Sequence, residues 1–96
     1  MTQPATKDYL AYCRIDMGGS WARDKSPEAA IKRCAKLAYL DWKHLFKLKG
    51  EIVPIGLFDV TDHDHVYMDD GCVWVEPDDN KRTYLKPLRI EKVKLG

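Results

Sequence analysis

Residues 65–76, HVYMDDGCVWVE, decide the architecture. Asp70-Gly71 separates two runs of alternating side chains. A two-residue turn of this composition needs a left-handed backbone at both positions, which Gly adopts freely and Asp tolerates, and its twist matches that of paired antiparallel strands. The register it fixes sets Tyr67 opposite Trp74, Met68 opposite Val73, Val66 opposite Val75 and His65 opposite Glu76. Alternation then makes one face of the hairpin aliphatic and the other aromatic and acidic.

Working outward, Ile55 to Val60 is β-prone, and Pro54 before it lacks a ladder donor, which predicts an edge position or a bulge there. Pro77-Asp78-Asp79-Asn80 marks a second turn. Tyr84 to Leu95 reads as a strand interrupted at Pro87, and the phase change between Leu88/Ile90 and Val93/Leu95 predicts a bulge near Glu91 or Lys92. Upstream, Tyr9 to Asp16 alternates as a half-buried strand, Met17-Gly18-Gly19 supplies a turn, and Ser20 to Arg23 returns as a short second strand. Met1 to Lys7 is expected to be a flexible tail.

Ser26-Pro27-Glu28 is a helix start: a hydroxyl to cap an orphan N–H, a proline where no N–H is needed, and a carboxylate at the positive helix end. The apolar period predicts a helix from there to about Leu48, stopped by Gly50. Ile31, Cys34, Ala38, Trp42 and Leu45 gather on one side, and Lys32, Lys36, Lys43 and Lys47 lie within one arc on the other. The element order β-(β)-α-β-β-β, with short turns, predicts an α+β fold: an antiparallel sheet of four to five strands with one long helix on one face, in a single domain spanning residues 1–96.

At 96 residues with 45% apolar and 32% charged side chains, the chain has ordinary globular composition and room for one core. No apolar run is long enough for a membrane span, and the opening residues are polar, so a cytoplasmic location without membrane association is expected. Cys13, Cys34 and Cys72 are odd in number and widely spaced, without a CxxC pair. They read as small buried hydrophobes rather than as a disulfide framework.

Net charge is +1, but it is segregated. Residues 1–50 hold ten Lys/Arg against five Asp/Glu, residues 51–80 hold nine Asp/Glu and no Lys/Arg, and residues 81–96 hold six Lys/Arg against Glu91. The acidic block coincides with the hairpin. Tyr67 and Trp74, rimmed by Asp69, Asp70 and Glu76, have the composition of a protein interface if their face is open. One competing expectation is that this face lies under the helix, which would make both aromatics core; a second, independent one is that the acidic block simply pairs with Lys86, Arg89, Lys92 and Lys94 on an adjacent strand.

Other chemistry is less well marked. Lys32, Lys36, Lys43 and Lys47 could follow a nucleic-acid backbone. Asp62, His63, Asp64 and His65 include metal-ligand types, but a calcium loop would need glycine at position 64, and two histidines on one strand face lack further zinc ligands at a recognised spacing. No nucleophile elbow or phosphate-cradling loop is present, and no cofactor is implied. Asp41 falls within the apolar arc of the helix, where it needs a hydrogen bond or an exposed edge.

The segment from Tyr9 to Phe46, above all GSWARDKSPEAAI at 19–31, resembles the strand, turn and helix start of HicB-like antitoxins, in which a glycine-ended strand is followed at this spacing by a Ser/Thr cap and a Glu-Ala-rich helix. The C-terminal part offers no DNA-binding helix, so what the resemblance implies is a small regulator that binds and occludes a protein, a role shared with mobile-element inhibitors such as anti-CRISPR proteins. The sequence thus leads to a non-enzymatic protein-binding module whose acidic aromatic hairpin meets a partner with a basic surface. Nucleic-acid binding through the lysine face and metal binding are the alternatives, and self-association is left open.

Overall fold

The computed structural model describes residues 6–16, 18–78 and 81–96. Most of the expected tail (Met1 to Ala5), Met17 of the first turn, and Asp79 and Asn80 of the later one lie outside them. The fold is α+β, in the order β1 (Tyr9–Ile15), β2 (Gly18–Asp24), α1 (Pro27–Trp42), β3 (Ile52–Asp59), β4 (Tyr67–Asp69), β5 (Cys72–Asp78), β6 (Lys81–Tyr84) and β7 (Arg89–Lys94). No helix among the described residues is long and apolar enough to cross a membrane.

The strands form two antiparallel sheets rather than one: four strands in the order β2-β1-β3-β7, and three in the order β4-β5-β6. Alternation along β1 separates two cores. Ala11, Cys13 and Ile15 face α1 and meet Ala30, Ile31, Cys34 and Ala38, while Leu10 faces the other way and meets Phe58, Val60 and Val73 beneath the three-stranded sheet. The four-stranded sheet is therefore sandwiched between the helix and part of the smaller sheet.

The helix begins as the sequence requires, with Ser26 Oγ accepting from Ala29 N at 3.3 Å and Pro27 in the first turn. It stops at Trp42, six residues short of Leu48. Length explains this: sixteen helical residues cover about 24 Å, and the seven-residue strands beneath cover about 23 Å. At that limit the Trp42 ring packs on Gly18, where an added Cβ would collide with the indole. The chain then turns, with Phe46 N donating to Trp42 O, and drops Leu48 into the core. Gly50, at φ +83°, serves the turn into β3.

Two further expectations are corrected. Pro54 sits in an interior strand, but the β1–β3 register ends at Tyr12↔Gly56, so on that side Pro54 has no ladder bond to lose. The register between β3 and β7 runs unbroken from Ile52↔Lys94 to Leu57↔Arg89, without a bulge at Glu91 or Lys92. The phase change arises because β7 carries apolar side chains on both faces, with Val93 towards the helix and Ile90 away from it. The irregularity falls instead between Val75 and Asp78, around Pro77.

Candidate functional site

The hairpin forms in the expected register over three pairs, Tyr67↔Trp74, Met68↔Val73 and Asp69↔Cys72. The pairs Val66/Val75 and His65/Glu76 lie beyond the ladder. Asp70 and Gly71 take φ +50° and +82°, the left-handed pair that this turn needs. The turn is pinned to β1: Gly71 N donates to Tyr12 Oη at 3.3 Å, and Arg14 pairs with Asp70 at 2.7 Å.

Alternation turns Val73 and Met68 inward and Tyr67 and Trp74 outward, away from the helix. Trp74 is nonetheless only 8% exposed. Its cover comes from its own strand neighbours: Tyr67 stacks at a centroid distance of 6.0 Å and 15°, Tyr84 of β6 leans in at 5.8 Å, and the Arg82 guanidinium lies 4.5 Å from the ring centre. Trp74 Nε1 donates to Glu76 Oε1 at 3.3 Å, and Glu76 also pairs with Arg82 at 3.7 Å. The result is an aromatic row across three strands. Tyr67 and Tyr84, 43% and 57% exposed, present their open sides to solvent.

The acidic block is partly neutralised, and not by the final strand. Asp59 pairs with Lys7, Asp70 with Arg14 and Glu76 with Arg82, while Arg89 of β7 pairs with Glu28 and Glu91. Among the described residues, Asp62, Asp64 and Asp69 are exposed and make no ion pair, so the hairpin end keeps negative charge.

The metal-ligand types do not converge: no three His, Cys, Asp or Glu among the described residues could share an ion. A cation organises their loop instead. Arg23 of β2 pairs with Asp8 at 2.5 Å and donates to the backbone oxygens of Val60, His63 and Asp64. Thr61 completes the closure, accepting from Asp8 N at 2.9 Å and donating from its own N–H to Asp59 Oδ1. The hydrogen bonds from Thr61, then the charge of Lys7, hold the Asp59 carboxyl below its usual range.

The lysine arc loses its continuity because the helix ends early. Lys32 and Lys36 are exposed on α1, Lys43 is the C-cap residue with its ammonium 5.8 Å from the Tyr39 ring centre, and Lys47 lies past the helix. Asp41 is exposed at the sheet edge and accepts from Ser20 Oγ at 3.1 Å. Ser20 is in turn the acceptor for Trp42 Nε1 at 3.2 Å. Cys13 and Cys34 are buried, and burial pushes their thiols up to about 11 and about 12. Cys72 corrects the expectation of three buried thiols, because its place beside the turn leaves it exposed.

Two features escaped the sequence. Tyr84 and Arg82 complete the aromatic row, but the irregularity at Pro77 breaks the alternation that would have aligned β6 with Trp74. A groove of about 430 Å³ also lies between the sheets, walled by Tyr12, Phe58 and Val73 and closed by Leu85 and Pro87. Its hollow is Gly56, set between Tyr12 and Ile90 in the ladder, where an added Cβ would meet the Phe58 ring at 3.1 Å.

Comparison with family models, curated proteins and solved structures finds no match.

Proposed function

We propose that this protein is a non-enzymatic binding module that recognises another protein through the outer face of β4-β5-β6. The observation that carries the reading is the outward aromatic row: Tyr67 and Tyr84 stand open on either side of a Trp74 already braced by Arg82. Tyr, Trp and Arg are enriched among the residues that carry binding energy in protein interfaces; Tyr and Trp offer large area with little rotamer entropy to lose, and a pre-packed row has already met much of the ordering cost. The exposed Asp62, Asp64 and Asp69 would steer the face towards a basic partner surface, raising the association rate more than the affinity. The resemblance of residues 9–46 to HicB-like antitoxins supports the same role, a regulator or inhibitor acting by occlusion. Three free thiols, one of them exposed, suit a reducing, cytoplasmic setting.

The test is capture of host proteins on the immobilised full chain, compared across two surface variants. Tyr67→Ser/Tyr84→Ser should lose the specific partner, and Lys32→Glu/Lys36→Glu should keep it. The opposite pattern, or captured nucleic acid released by the lysine variant, would overturn the reading.

A further inference from the structure

A second surface lies along β7, which is one of the two edges of the four-stranded sheet. Its backbone is poised for another strand. Leu95 N donates to Glu51 O at 2.8 Å, so by antiparallel alternation Val93 and Glu91 turn their backbone groups to β3, while Ile90, Lys92 and Lys94 turn theirs to the unpaired edge.

Side chains give that edge a preference. On the face away from the helix, the register sets Ile90 beside Gly56, Lys92 beside Pro54 and Lys94 beside Ile52. The smaller sheet does not cover this part: Ile90 and Ile52 are 64% and 63% exposed, and Ile90 forms the lip of the inter-sheet groove. Lys92 and Lys94 make no ion pair among the described residues. Lysines on an edge strand oppose pairing with a second copy of the same edge, because like charges would meet across the ladder. They favour a strand of opposite charge.

We infer that β7 accepts an extended acidic peptide segment of a partner protein as a fifth, antiparallel strand. The one-sided cross-strand neighbours define it. Read from its N-terminus, the segment meets Lys94, Lys92 and Ile90 at alternate positions, giving the pattern acidic-x-acidic-x-apolar, with the apolar side chain at the mouth of the groove. Main-chain bonds supply affinity and the alternate side chains supply selection. This site is separate from the aromatic face of the smaller sheet and does not depend on it.

The experiment is a fluorescence-anisotropy titration of the full chain with a labelled synthetic peptide, Thr-Glu-Thr-Glu-Thr-Leu-Thr, followed by amide hydrogen exchange of the complex. Saturable binding is expected, weakened at least tenfold by Lys92→Glu/Lys94→Glu and regained when the peptide's Glu residues become Lys. Exchange should slow at the amides of Ile90, Lys92 and Lys94, N-methylation of the peptide's edge-facing amides should abolish binding, and Tyr67→Ser/Tyr84→Ser should leave it unchanged. Absence of saturation, indifference to the charge reversal, protection elsewhere than β7, or displacement of the peptide by an oligonucleotide would each overturn the inference.

Discussion

Among the described residues, twelve buried side chains fill the space between α1 and the four-stranded sheet, whereas four join that sheet's opposite face to β4-β5-β6. The first layer is an apolar core closed by Ser20, Trp42 and Asp41. The second is held largely by directional contacts: Arg14 to Asp70, Gly71 N to Tyr12 Oη, and the Arg23 clamp on the loop before β4. Apolar burial scales with area, while each directional bond adds about 1 kcal/mol net. The helix side therefore supplies the stability, and the smaller sheet is a presented element that can open at lower free energy.

The largest effect is expected at the centre of the helix-side core. Leu57→Ala should lower global stability by about 2–5 kcal/mol in urea denaturation. Val73→Ala, which removes roughly two methylene equivalents on the other side, should cost about 1.5–2.5 kcal/mol and raise hydrogen exchange in β4-β5-β6 before β1 and β3 respond. Equal exchange throughout would mean that the two layers unfold as one.

Arg23→Ala should cost about 1–2 kcal/mol, concentrated in residues 59–66, because three backbone acceptors and Asp8 lose one shared donor. Exchange unchanged in that loop would show that the clamp is not what holds it. A smaller effect is expected at Asp59. Its carboxyl titrates lower in the folded chain than the ordinary value near 3.9. Its contribution is therefore present above that value and is lost as pH falls through the folded pKa. Asp59→Asn should shrink the shift in urea midpoint between pH 6 and pH 3, and an unaltered shift would contradict the assignment. The gentlest probe is thiol labelling: native protein should release one equivalent with an aromatic disulfide reagent, from Cys72, and three only in denaturant. Two or more in the native state would place the helix-side core within easy reach of solvent.

How much of this the sequence revealed follows the same division. The hairpin register and the helix start were legible because both depend on local rules: left-handed positions at Asp70-Gly71, and a hydroxyl, a proline and a carboxylate in order at 26–28. The helix end was not, because periodicity continues through Leu45 while the sheet beneath ends near Gly18, a limit set by tertiary packing. Nor was the division into two sheets legible. Leu10 and Phe58 alternate with neighbours that are also buried, so each strand reads equally well as covered on one face or both. At the candidate site, Tyr67, Asp69, Asp70, Trp74 and Glu76 were all placed on one hairpin. The sequence did not show that Trp74 is covered by Tyr67, Tyr84 and Arg82 rather than by the helix, because Arg82 and Tyr84 sit across the irregularity at Pro77.

The central claim is that the smaller sheet is what a partner touches. Hydrogen exchange on the intact chain, free and in complex with the captured partner, measures this directly. Protection should appear at residues 67–76 and 81–84 and leave α1 unchanged. Protection confined to α1, with the hairpin exchanging as in the free chain, would contradict the account.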